Sequence, residues 1–75
     1  MELKEFIENF AEQFEDTDFS EFAAETEYQN LEEWSSLVIL SIIAMVRTKY
    51  GKKITASDLR SCNTIEELFN LIKER

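Results

Sequence analysis

The chain has 75 residues, 44% of them apolar, with nine aromatics of which six are Phe. That suffices for one small core and is too apolar for a disordered tail, so residues 1–75 are expected to form a single domain. A chain this short buries only about 60% of its unfolded surface, which favours an economical, helical fold.

Sixteen acidic residues stand against eight basic ones, for a net charge of −8, and His and Pro are absent. Without His there is no Ser-His-Asp triad, no Cys-His dyad and no imidazole metal ligand. A lone Cys62 forms neither an internal disulfide nor a thiolate zinc site, which suits a reducing cytoplasm, and it reads as a small apolar filler. The negative charge repels phosphates, so nucleic acid is not an expected partner. The opening MELKEFIENF lacks a basic then apolar leader pattern, so no secretory signal is expected. The longest greasy stretch, Leu37 to Val46, is far short of a membrane span. An enzyme acting alone is not expected. Residues 1–34 hold 12 carboxylates and only Lys4, whereas residues 35–75 hold four carboxylates and seven bases. Either Arg47, Lys49, Lys52 and Lys53 compensate the acidic half internally, or that half docks on basic partners.

In chain order, Leu3, Phe6, Ile7, Phe10, Ala11 and Phe14 recur at helical spacing, with Glu2, Glu5, Glu8, Glu12 and Gln13 opposite. This predicts an amphipathic helix over 2–15. From Glu15 to Trp34 the periodicity dissolves into a long loop, with Phe19, Phe22, Tyr28, Leu31 and Trp34 as candidate anchors. Ser20 is a candidate cap for a turn or two near 20–25. Asp16, Asp18, Ser20 and Glu27 match four positions of a calcium loop, but Glu21 occupies the position that needs Gly, so no metal site is expected.

Ser35 or Ser36 then caps a helix that runs to Tyr50, where Gly51 offers a left-handed stop. This helix is apolar nearly all round, so it is central to the bundle or presents apolar surface to something else. Thr55-Ala56-Ser57-Asp58 resembles a short capping box that opens a helix at about 56–61, and Thr64-Ile65-Glu66-Glu67 is a full capping box that opens another over 64–74. The fold class is therefore all-α, with three main helices and one short one.

Trp34-Ser35-Ser36-Leu37, at the head of a central helix after a long loop, resembles the signature of the acyl carrier protein family. The likeness continues in Tyr50-Gly51, in Ile54-Thr55 before the minor helix and in Thr64-Ile65-Glu66-Glu67-Leu68 at the last one, and so covers essentially the whole chain. It implies an acyl-carrier-like bundle in which Ser36 bears 4′-phosphopantetheine, transferred from coenzyme A by a separate phosphopantetheinyl transferase. The arm's thiol then carries a fatty acyl, polyketide or aminoacyl group between loading and processing enzymes, in a free-standing cytoplasmic monomer. A helix start, with unpaired N–H groups and a positive dipole end, suits a phosphodiester.

The chain departs from the family pattern at three positions. Ser35 stands where Asp is usual, and Val38 and Ser41 stand where acidic side chains often meet partners. The expected partner-facing side comprises Leu37, Val38, Ser41, Ala44 and Met45, greasier and less charged than usual. Ile39, Leu40, Ile43, Met45, Val46, Ile54 and Leu68 are candidate walls for a folded-back acyl chain. The alternative is an unmodified helical protein–protein interaction module, for which Ser36 is only a cap.

Overall fold

The computed structural model describes residues 2–75, which form four α-helices: α1 (Leu3–Ala11), α2 (Ser36–Tyr50), α3 (Ala56–Ser61) and α4 (Ile65–Lys73). Two 3-10 turns, Phe19–Glu21 and Tyr28–Asn30, interrupt the long α1–α2 connection. The described residues contain no strand, only an isolated antiparallel bridge between Glu27 and Thr64. α1 packs on α4 and α2, and α3 packs on α2. The all-α expectation of three main helices and one short one holds.

The core is assembled from the side chains that the periodicity marked. Phe6 and Phe10 come from α1 and Phe14 from the turn that follows it, Ile42, Met45 and Val46 from α2, and Ile65, Leu68, Phe69 and Ile72 from α4. Phe10 is the hub of the aromatic packing, with the rings of Phe6, Phe14, Phe22 and Tyr28 between 5.4 and 6.2 Å from its own. No buried side-chain nitrogen or oxygen among the described residues lacks a hydrogen-bond partner. The Cα radius of gyration, 10.9 Å, is close to the value of about 11 Å for a compact chain of this length, so the long loop lies against the bundle.

α1 ends at Ala11, earlier than the expected residue 15. Beyond it the chain tightens, with Gln13 N–H donating to the Phe10 carbonyl and Phe14 N–H to that of Ala11. The next donors leave the helix altogether. The Glu33 carboxylate accepts from the Glu15 and Asp16 amides at 2.7 and 3.0 Å and from the Thr17 hydroxyl at 2.7 Å. A carboxylate 16–18 residues away therefore competes with continued helix, and it leaves no local signal in residues 12–15.

Within the loop, Asp18 rather than Ser20 is the cap, its carboxylate accepting from the Ser20 amide at 2.9 Å. A single 3-10 turn follows at Phe19–Glu21, within the turn or two expected but starting before Ser20. Phe22 and Tyr28 are buried, and Leu31 and Trp34 are packed against the core, as expected of anchors. Phe19 is not one: it is 56% exposed. The loop is also tied to the far end of the molecule. Thr26 and Ala24 carbonyls accept from the Ile65 and Glu66 amides, occupying first-turn donors of α4 that have no helical partner. Tyr28 donates its hydroxyl to the Leu59 carbonyl, and Gln29 Nε2 donates to that of Cys62 at 2.9 Å.

The charge asymmetry is not cancelled by close pairing. The described residues hold two ion pairs, Lys49–Glu12 at 3.8 Å and Arg75–Asp58 at 2.7 Å, and only the first joins the basic helix end to the acidic segment. Cys62 is buried, and burial pushes its thiol pKa up, as suits an apolar filler.

Candidate functional site

The site is built around the start of α2. Trp34 stands immediately before it, half-buried, with its ring 5.0 Å from that of Tyr28 and stacked on Phe14 at 6.5 Å. This packing fixes where the chain leaves the loop. Ser35 follows in extended backbone (φ −160°, ψ 170°), and its Oγ accepts from the Val38 amide at 3.3 Å. Of the two candidate caps, Ser35 is the one that caps.

Ser36 is the first helical residue and is exposed. Its hydroxyl is not occupied in capping, since the neighbouring side chain performs that task. The first turn of α2 contains no carboxylate, whereas those of α1, α3 and α4 hold Glu5, Asp58, and Glu66 with Glu67. The positive end of the α2 dipole is thus not offset by an acid of its own first turn. Those features fit a phosphodiester linked through the Ser36 hydroxyl: an accessible oxygen, unpaired first-turn amides and local positive potential. At the other end, Gly51 adopts φ 66° and donates its N–H to the Arg47 carbonyl, the left-handed stop expected there.

The residues expected on the partner-facing side divide. Leu37 is 74% exposed, Ala44 is exposed and Ser41 is half-buried. Val38 and Met45 are corrections: both are buried, at 6% and 5%, because they lie seven residues, about two turns, apart on the flank of α2 that also carries Ile42 into the core. Leu40 takes their place on the outer surface, 63% exposed, and for the same reason it drops out of the candidate walls for an acyl chain. Of the remaining walls, Met45, Val46, Ile54 and Leu68 are buried core, and Ile39 and Ile43 are half-buried beside it.

Asp16, Asp18, Ser20 and Glu27 do not converge on a calcium site. Asp18 caps its turn, Glu27 accepts from the Asn30 side chain, and Asp16 has its amide on Glu33. No group of three or more His, Cys, Asp or Glu side chains among the described residues could hold a metal ion. Sequence reasoning missed Glu33, which holds the turn after α1. Its carboxyl pKa is lowered, chiefly by the hydrogen bond from Thr17, opposed by burial and aided by the amides of Glu15 and Asp16. The missed clasp at the other pole is Arg75, which bonds the Asp58 carboxylate while that carboxylate also accepts from the Thr55 amide. The hydrogen bond from Arg75 is the first cause of a lowered Asp58 pKa.

The molecule is a small four-helix bundle with the exposed Ser36 hydroxyl at the start of its central helix, an arrangement compatible with a small helical carrier domain. Among protein-family models, the one describing the phosphopantetheine attachment site matches residues 4–72 of this chain, and the chain belongs to that family. Proteins of the family carry a covalently attached 4′-phosphopantetheine and are carriers, served by transferases and acyl-processing enzymes. Neither the curated proteins nor the solved structures gave a match.

Proposed function

We propose that Ser36 is the attachment residue and that the chain is an acyl carrier protein. The observation that carries this reading is the division of labour at the α2 start: Ser35 caps, which leaves the exposed Ser36 hydroxyl free to become an ester. The α2 amides and dipole stabilise the phosphodiester, and Leu37 offers the transferase an apolar grip beside it. The group supplies a thiol on a flexible arm, which holds a fatty acyl, polyketide or aminoacyl unit as a thioester. The chain's own residues tether and present that arm without general acid, general base or metal. The reading takes residues 1–75 as one carrier domain, monomeric and cytoplasmic, with cargo set by the loading enzyme.

The test is intact-mass spectrometry after incubation with coenzyme A and a phosphopantetheinyl transferase. The wild type and Ser35→Ala gain one arm, and Ser36→Ala does not. Persistence of the bare polypeptide mass with every competent transferase, or an arm mapped to another residue, overturns the assignment.

A further inference from the structure

The exposed side of α2 is chemically graded, and the gradient specifies a partner. Successive helical residues step by about 100°, so Ser36, Leu40, Ala44 and Arg47, at i, i+4, i+8 and i+11, lie along one outward ridge. Leu37 flanks the top of that ridge. Leu37 and Leu40 are two of the three large apolar side chains that the described residues expose. Below them Ala44 is exposed and uncharged, and Arg47 then brings the ridge's first charge, about 16 Å along the axis from Ser36. No acidic residue occurs between Trp34 and Asp58. The cations of α2 are not equivalent: Lys49 turns toward α1 and pairs with Glu12, whereas Arg47 takes no part in either ion pair of the described residues.

We propose that an enzyme reaching Ser36 docks along this ridge with an apolar recess that seats Leu37 and Leu40 and a carboxylate that meets Arg47. This rests on the carrier reading and adds the chemistry of the partner to it. The net charge of −8 does not describe α2 itself, which carries no carboxylate and whose outward ridge is apolar at the top and cationic at the bottom. Leu37 and Leu40 supply contact area next to the reacting hydroxyl, and Arg47 sets register along the helix. Two leucines exposed together at the mouth of a functional hydroxyl cost solubility in the free protein, and burial against a partner removes that cost.

The experiment measures kcat/KM for arm transfer from coenzyme A by a purified transferase that modifies the wild type, with thermal melts of each variant as the folding control. Leu40→Ser lowers kcat/KM about tenfold through KM, the effect of losing one buried Leu contact. Arg47→Glu lowers it about three- to tenfold, Arg47→Lys restores most of the loss, and Glu5→Gln with Glu8→Gln changes little. All four variants alter exposed side chains and keep the wild-type melting temperature within a few degrees. The inference is overturned if Arg47→Glu is neutral or faster while neutralising α1 slows transfer. It is also overturned if sedimentation shows a wild-type dimer that Leu40→Ser dissociates, since a second copy then covers the face. Modification of Ser36 with unchanged KM in every variant removes the docking inference alone, whereas no modification of the wild type removes the carrier reading beneath it.

Discussion

Ser35→Ala and Ser36→Ala remove the same hydroxyl one position apart, yet they are expected to fail in opposite assays. Ser35 Oγ accepts the Val38 amide at 3.3 Å, at the long end for such a bond. Loss of an N-cap hydroxyl costs about 0.5–2 kcal/mol, and the long contact places this one at about 0.5–1 kcal/mol. For a domain of this size that lowers the melting temperature by about 2–8 °C. Ser36 is exposed and helical, and Ala has the better helix propensity by a few tenths of a kcal/mol, so Ser36→Ala leaves the melt unchanged or slightly raised. Far-UV circular dichroism melts of the unmodified proteins, paired with intact mass after the transferase reaction, give both readouts. Ser35→Ala melts earlier and is modified; Ser36→Ala melts normally and is not. An equal stability loss in both variants, or a loss confined to Ser36→Ala, refutes the assignment of capping to Ser35 and of a free hydroxyl to Ser36.

Three further outcomes follow from the packing and the caps. Gly51→Ala puts a side chain on a residue at φ 66° where nothing lies within 4 Å, so the cost is conformational alone, about 1–2 kcal/mol in a denaturant titration. Phe10→Ala empties the fully buried hub of the aromatic cluster and costs about 3–5 kcal/mol, a large share of what a domain this small has, so the variant is expected to be partly unfolded in one-dimensional NMR at 37 °C. The pKa values of Glu33 and Asp58 are lowered in the folded protein, so each contributes stability above its unfolded pKa and loses it as pH falls through the folded one. Glu33→Gln therefore speeds exchange of the Glu15 and Asp16 amides at neutral pH, and shows a shallower acid dependence of that exchange than the wild type.

The helices were legible where one element's own residues decide the outcome. Thr55 with Asp58 and Thr64 with Glu67 are caps whose partners lie three residues away; the first forms the reciprocal box, whereas at the second Thr64 accepts from the Glu67 amide but the Glu67 carboxylate accepts from the Asn63 amide, so the full box expected there is not formed. Leu68 and Ile72 recur at helical spacing and are buried together. The acyl carrier likeness rested on short words at set spacings, and the family match over residues 4–72 agrees with it. The loop was legible only as a loop. Its conformation depends on Glu33 reaching back to Glu15, on Tyr28 reaching Leu59 and on Thr26 meeting Ile65, contacts that span 18–39 residues and leave no periodic trace. Phe19 and Phe22 carry the same ring three residues apart, yet one is exposed and the other buried: Phe19 opens the 3-10 turn, whereas Phe22 has left it for extended backbone and packs against Phe10 and Phe14.

By itself the sequence determined an acidic, helical chain without imidazole, with a pair of serines at the head of its most apolar helix. Those properties follow from residue type and local spacing. Only the tertiary structure decided which serine caps, that Val38 and Met45 face the core while Leu37 and Leu40 face outward, and that Lys49 is paired while Arg47 stands on the outer ridge. A helix apolar on nearly every side has no preferred buried face of its own. The side it turns inward is chosen by what packs against it, here α1 and α3.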